Sequence, residues 1–155
     1  MKGNDQIIAT LNDLLSDELT AISQYMVHSE MCANWRYDKL HKAAEGRAID
    51  EMKHAEKLIG RILFMEGTPI VSELKKMYIG ATVDSQHKND IEAEAGAVKS
   101  YNAGIRQAVE LGDNGTRELL ESILVDEEEH LDWLEAQLWQ IEQLGLPTYL
   151  VEQIG

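Results

Sequence analysis

The stretches DEMKH and DEEEH each place a glutamate three residues before a histidine: Glu51 with His54, and Glu127 with His130. Residues three apart share one face of an α-helix, so each pair would present a carboxylate and an imidazole together. Such oxygen and nitrogen ligands suit iron or manganese, and they exclude no other divalent metal. The two stretches therefore predict two sets of metal ligands.

Both pairs fall on the apolar side of their segments. Steps of three or four residues connect Glu51 and His54 with flanking leucines, and the same holds for Glu127 and His130. A single Glu-x-x-His is usually part of a solvated face that forms surface salt bridges. Burying an ionised carboxylate is costly unless something compensates its charge. The core phase of both pairs therefore favours metal binding.

An internal repeat links these ligands to two more glutamates. Glu18 and Glu94 lie on the apolar faces of two further segments, and their numbers differ by 76. The same offset of 76 relates Glu51 to Glu127, His54 to His130, Tyr25 to Tyr101 and Asp50 to Asp126. The repeat predicts two hairpins around a pseudo-twofold axis, which would bring four glutamates and two histidines together. A glutamate from two helices with Glu-x-x-His from two others is the ligand pattern of ferritin-like di-iron bundles.

Two other repeated pairs are expected to support the ligands. Asp50 and Asp126 precede the Glu-x-x-His stretches, and we expect each to bond the imidazole of the opposite half. The alternative is that both are merely exposed acids. Tyr25 is expected to donate its hydroxyl to a ligand carboxylate two helical turns away, and Tyr101 to do the same.

Four long amphipathic segments must position these residues. Their periodicity predicts helices over about 5–34, 36–65, 83–111 and 117–144. Short connections join the first two and the last two, whereas residues 66–82 are long enough to cross the bundle. The fold predicted is an all-α, antiparallel four-helix bundle with one long crossover. LPTYLVEQI at the end predicts a short additional helix, and the whole chain, 1–155, a single domain.

Charge and composition exclude several classes of function. A net charge of −14 disfavours nucleic-acid binding through phosphates. No apolar run has the length of a membrane span, and nothing resembles a signal peptide. One cysteine, Cys32, excludes an internal disulfide and a cysteine-based zinc cluster. We therefore expect a cytoplasmic protein.

The sequence resembles bacterioferritin, a ferritin-like family, over nearly its whole length. The resemblance is carried by MKGN, LLSDELTAISQY, IDEMKHAEKLIGRILFMEGTP, ESILVDEEEHLDWLEAQL and IEQLGLPTYL. It implies that Fe²⁺ is oxidised by O₂ or H₂O₂ at an intrasubunit di-iron ferroxidase centre formed by Glu18, Glu51, His54, Glu94, Glu127 and His130. It also implies a 24-subunit shell, built from dimers, that stores ferric mineral.

The resemblance also implies two further partners. A haem b would lie between paired subunits, with Met52 of each subunit as an axial ligand; plain interface packing is the alternative for this methionine. An electron-donating ferredoxin would serve iron release. The chain departs from the family in having Gly46 where many relatives have His, and Leu58 where relatives often have Tyr.

Two other classes of function are alternatives to iron storage. A di-iron peroxidase of the rubrerythrin type would normally bring a CxxC module, which one cysteine cannot supply. A non-catalytic haem or electron-transfer bundle would need only Met52, and it would leave the six core ligands unexplained.

Overall fold

The computed structural model describes all 155 residues, Met1–Gly155, as five helices without a strand. The helices are α1 (Asp5–Asn34), α2 (Asp38–Phe64), α3 (Val83–Glu110), α4 (Asn114–Leu144) and α5 (Leu146–Val151). α1 packs along α2, and α3 along α4, while α1 with α3 and α2 with α4 join the two hairpins. The predicted all-α bundle with one long crossover and a short C-terminal helix is confirmed. None of the five helices combines the length and apolar character that crossing a membrane requires.

Local capping moves two helix starts from their predicted positions. Arg36 has φ 67°, in the left-handed region, so α2 begins at Asp38 and not near residue 36. The Asp113 carboxylate accepts the Thr116 N–H at 3.0 Å and caps α4. α4 therefore begins at Asn114, inside the GDNGT stretch that was expected to be a break.

A stripe of polar side chains on α1 fastens the crossover to the bundle. Five residues spaced four apart each bond the crossover backbone between Thr68 and Gly80: Asn12, Ser16, Thr20, Gln24 and His28. Residues four apart lie one above another on a helix, so the stripe runs parallel to the extended crossover. Polar residues four apart on one helix do not by themselves predict this attachment.

The two ends of the bundle have different cores. One end holds eleven buried apolar residues from α1 to α4, among them Leu11, Leu58 and Ile123. The other end holds a smaller apolar cluster, in which Tyr149 of α5 packs against Cys32, Leu40 and Val83. The ligand-type residues lie between these two ends.

The predicted apolar face of α3 is only partly correct. Tyr101 is fully buried, whereas Ile91, Val98 and Ile105 are half-buried. Polar side chains of α3 take the buried positions instead: Gln86, His87, Asp90 and Glu94. Their bonding partners lie on other helices, where periodicity along α3 cannot show them.

Candidate metal centre

The six residues predicted as metal ligands converge in the middle of the bundle. α1 contributes Glu18, α2 contributes Glu51 and His54, α3 contributes Glu94, and α4 contributes Glu127 and His130. All six are buried, and the most exposed, His130, shows only 8% of its surface. The repeat of 76 residues thus places equivalent side chains opposite one another.

The cluster divides into two overlapping sets of four residues. One set contains Glu18, Glu51, His54 and Glu127, and the other contains Glu51, Glu94, Glu127 and His130. Within each set, one potential ligand atom per residue lies within 4.8 Å of the others. Glu51 and Glu127 belong to both sets, as a pair of bridging carboxylates would.

Each of the six residues has one buried polar atom without a hydrogen-bond partner: Glu18 Oε2, Glu51 Oε1, His54 Nδ1, Glu94 Oε2, Glu127 Oε1 and His130 Nδ1. His54 Nδ1 lies 2.8 Å from a Glu127 oxygen, and His130 Nδ1 lies 3.0 Å from a Glu51 oxygen. These close contacts are not aligned as hydrogen bonds. Unsatisfied buried polar atoms are rare in folded proteins, so their convergence here fits a set of cation ligands.

Two aspartates fix the orientation of both imidazoles. His54 Nε2 lies 2.8 Å from Asp126, and His130 Nε2 lies 2.9 Å from Asp50. A proton on Nε2 donates to the carboxylate, which leaves Nδ1 free to bind a metal. The structure therefore brings together the cross-half pairs that the sequence predicted, although both aspartates are also partly exposed.

Two buried tyrosines bond Glu18 and Glu94, the glutamates that belong to only one of the two sets, across the pseudo-twofold axis. The Tyr25 hydroxyl donates to Glu94 at 2.6 Å, and the Tyr101 hydroxyl donates to Glu18 at 2.5 Å. The expectation of a tyrosine–carboxylate bond is confirmed, but the partner differs. Each tyrosine reaches the opposite hairpin and not the glutamate two turns away on its own helix.

Burial and crowding perturb the proton affinities of the cluster. Burial, together with the charges of Glu51 and Glu94, raises the pKa of Glu127 to about 12. Burial opposes a charged imidazole, but the close approach of Glu94, 3.3 Å from Nδ1, and its negative charge raise the pKa of His130 to about 9. In the metal-free protein, protons on Glu127 and His130 thus balance part of the negative charge of the carboxylates.

A cavity of about 530 Å³ connects the cluster with the surface. Its walls come from α1, α3 and the crossover, and its floor includes Glu18 and Glu51. Asp17, Lys75 and Glu92 lie among its more exposed lining residues. The cavity thus reaches the edge of the ligand set, where Glu18 and Glu51 are each 1% exposed.

A second buried polar group beside the cluster was not assigned a role from the sequence. Asp90 accepts hydrogen bonds from Gln24 and His28, both at 2.9 Å, and from Arg47 at 3.0 Å. We call these four residues the Asp90 cluster. The only sequence signal was the inward phase of Arg47, one turn before Glu51.

The remaining residues of interest lie away from the ligands. Met52 is 47% exposed on α2, and Ile49, one turn earlier, is 41% exposed. Gly46 is exposed with open space around it, whereas Leu58 is fully buried in the apolar core. Met52 thus stays outside the cluster, as its phase one residue after Glu51 predicts.

Comparisons with known proteins identify related sequences. The ferritin-like domain family matches residues 8–144. A bacterioferritin of Mycobacterium bovis is 38% identical over 155 residues, which cover 100% of this chain and 98% of the relative. Bacterioferritin BfrA of Mycobacterium tuberculosis shows the same identity and coverage. A bacterioferritin of Rhodobacter capsulatus is 39% identical over 145 residues, covering 94% of this chain and 90% of the relative.

Proposed function

Because this chain belongs to the bacterioferritins, a family with a ferritin-like domain, we propose that it stores iron and oxidises Fe²⁺ at the buried cluster. The whole chain, 1–155, would act as one ferritin-like domain. Fe²⁺ is the substrate, Fe³⁺ is the product, and O₂ or H₂O₂ takes the electrons.

The observation that carries this proposal is the convergence of six unsatisfied buried atoms on two overlapping four-residue sets. Glu18 and His54 would bind one Fe²⁺, and Glu94 and His130 the other. Glu51 and Glu127 would bridge the pair. Mixed carboxylate and imidazole ligation suits Fe²⁺, and the six atoms have no other partner in the protein.

The two Fe²⁺ supply the electrons of the reaction, and two protons are taken up for each oxidant molecule. Two Fe²⁺ each give up one electron, and O₂ with two protons leaves as H₂O₂; with H₂O₂ as oxidant, two protons and two electrons give two water molecules. Protons held by Glu127 and His130 before iron binds must leave when these side chains become ligands. Asp50 and Asp126 keep the imidazole nitrogens directed at the substrate.

Anaerobic Fe²⁺ titration followed by mixing with air tests the proposal, with stopped-flow absorbance reporting the ferric product. We expect a fast phase that saturates at about two Fe²⁺ per subunit and is lost in Glu127→Ala. Glu128→Ala is the matched control, because Glu128 is the next residue on α4 and is exposed. A wild-type protein without a fast phase would refute the ferroxidase assignment.

The haem proposal rests on Met52 and on family membership. A thioether is a soft iron ligand, and Met52 presents it on an exposed, partly apolar stretch of α2 that also carries Ile49. Two subunits related by a twofold axis would each supply Met52 to one haem b. When bound, the haem would supply a one-electron carrier.

Family membership also supports a proposal about assembly and partners. We propose a 24-subunit shell built from dimers, with a ferric mineral inside and a ferredoxin as electron donor for iron release. Exposed apolar side chains on α1 and α2 are consistent with such contacts; they include Met26, Val27, Ile49 and Met52. A cytoplasmic location stays a prediction.

A further inference from the structure

The internal repeat predicts two equivalent metal positions, but the surroundings of the two positions differ. Counting back or forward by 76 residues, Asp90 corresponds to Leu14, and Arg47 corresponds to Ile123. Leu14 and Ile123 are buried in the apolar core. Asp90 and Arg47 are equally buried, at 1% and 6% exposure, yet they are charged. The pseudo-twofold symmetry therefore ends one helical turn from the ligands.

The hydrogen bonds of the Asp90 cluster define its charges. His28 Nδ1 donates to Asp90, and His28 Nε2 accepts the Gly80 N–H at 2.9 Å, so the imidazole is neutral. The arginine guanidinium is always charged. The cluster thus contains one cation, Arg47, and one anion, Asp90, with His28 and Gln24 as neutral donors.

Arg47 is the member of this cluster that faces the metal ligands. Its guanidinium carbon lies 4.4 Å from the centroid of the Tyr25 ring, and Tyr25 donates its hydroxyl to Glu94. Its Nε and Nη1 atoms are buried without a hydrogen-bond partner. A buried guanidinium with so few bonds is costly, and apolar residues of similar size serve as well in the other half. The other half of the bundle is built without such a pair, so the four-helix fold itself does not require Arg47.

The counterpart tyrosine has no cation beside it. Tyr101, which donates to Glu18, is fully buried within the apolar core cluster. Glu94 thus bonds a tyrosine whose ring faces a positive charge, whereas Glu18 bonds a tyrosine packed among leucines. The guanidinium end of the Asp90–Arg47 pair lies over the Tyr25 ring, and there it opposes a divalent cation and strengthens the tyrosine as a donor to Glu94. Asp90 offsets part of this positive charge.

We propose that Arg47 is a positioning residue that makes the two metal positions unequal, so that the Glu94–His130 position binds a divalent cation more weakly than the Glu18–His54 position. The proposal rests on the proposed di-iron centre. It predicts that metal fills the Glu18–His54 position first and that the second position fills only at higher concentration. Arg47 would thus set the order in which substrate enters the centre.

Anaerobic titration of the metal-free protein with Co²⁺ tests this inference, with the visible absorbance of bound Co²⁺ as the readout. We expect two binding steps whose affinities differ by roughly tenfold, since Asp90 offsets part of the guanidinium charge and the remainder acts on a divalent cation through a low-dielectric interior. The double variant Arg47→Ile/Asp90→Leu copies the residues of the other half. It should tighten the weaker step and bring the two affinities together, while Arg47→Lys, which keeps the charge, should leave two steps.

Two further variants assign each Co²⁺ binding step to one of the two metal positions, and they test the inference even if the double variant does not fold. Glu94→Gln should remove the weaker step, and Glu18→Gln the tighter one. Two equal steps in the wild type, an unchanged ratio in a folded double variant, or the opposite assignment would overturn the inference and leave the di-iron centre intact. Binding of fewer than two Co²⁺, or binding that Glu127→Ala does not affect, would overturn the centre itself.

Discussion

At the residue scale, each imidazole of the centre lies between two kinds of carboxylate. Asp126 and Asp50 bond the Nε2 atoms from the partly exposed side, while the buried glutamates surround the Nδ1 atoms. An aspartate in this position fixes the tautomer and makes the imidazole a stronger metal ligand. In the proposed centre, the two aspartates would therefore support the imidazole ligands without being ligands themselves.

Asp126→Asn should weaken binding of metal at the Glu18–His54 position by about 10- to 100-fold, because the amide cannot hold the charge that orients His54. Isothermal titration with Co²⁺ measures the change. Asp132→Asn is the matched control, since Asp132 is an exposed acid on the same helix. If metal affinity and oxidation rate were both unchanged in Asp126→Asn, the supporting role of this residue would be excluded.

The raised pKa values make the stability of the metal-free protein depend on pH. The pKa of His130 rises from 6.5 in the unfolded chain to about 9 in the folded protein, so folding binds a proton between these values. Its contribution is complete below pH 6.5 and is lost as the pH rises through 9. Glu127, with a pKa raised from 4.5 to about 12, acts in the same direction.

The free energy of unfolding of the metal-free protein, measured with urea, should therefore fall by roughly 2–5 kcal/mol between pH 7 and pH 9, since each of the two groups contributes up to about 1.4 kcal/mol per pH unit. Saturating Co²⁺ should reverse this trend, because metal binds the deprotonated side chains. The double variant Glu127→Gln/His130→Gln should flatten the pH dependence. A metal-free wild type that gains stability over the same interval would contradict this account.

At the element scale, the polar stripe on α1 explains how a long crossover without secondary structure keeps a fixed path. Its backbone groups cannot bond one another, so side chains of α1 satisfy them at one-turn intervals. Thr20 is central to this stripe, because it accepts the Lys75 N–H at 2.8 Å and donates to the Ser16 carbonyl at 2.8 Å. The crossover in turn forms one wall of the cavity that leads to Glu18.

Thr20→Val keeps the shape of the side chain and should lower the free energy of unfolding by about 1–3 kcal/mol, because the Lys75 N–H loses its buried partner. Hydrogen exchange should show faster exchange of that amide. Ser23→Ala is the control: its hydroxyl bonds only Leu19 of its own helix. Equal effects of the two substitutions would mean that the stripe does not anchor the crossover.

The sequence predicted those parts of the fold for which the spacing of residues along a single helix face is sufficient evidence. The Glu-x-x-His pattern lies on the buried face of its helix and recurs after 76 residues. Because the two hairpins are therefore built alike, the pattern predicts that Glu51 and Glu127 lie together. The α1 stripe could not be predicted, since polar residues four apart have the same sequence pattern whether they bond the crossover or face solvent. The Asp90–Arg47 pair was not found either, because its members are 43 residues apart on helices α3 and α2.

At the scale of the whole molecule, the proposed di-iron centre and the proposed haem site lie on different faces of one helix, α2. Glu51 points into the bundle, while Met52, the next residue, is rotated by about 100° and lies on the outside. Met52 takes no part in the core, so its replacement should not disturb the ligands. Haem binding and Fe²⁺ oxidation should therefore be separable by mutation.

Met52→Leu should abolish haem binding, because leucine has no sulfur ligand, and should leave the fast phase of Fe²⁺ oxidation within about twofold of wild type. Met26→Leu is the control, as Met26 is also an exposed methionine, on α1. Absorbance of the haem per subunit in the purified assembly measures the first effect, and stopped-flow oxidation the second. If Met52→Leu kept its haem while Met26→Leu lost it, the axial ligand would be Met26; if Met52→Leu lost the fast phase, the two sites would depend on each other.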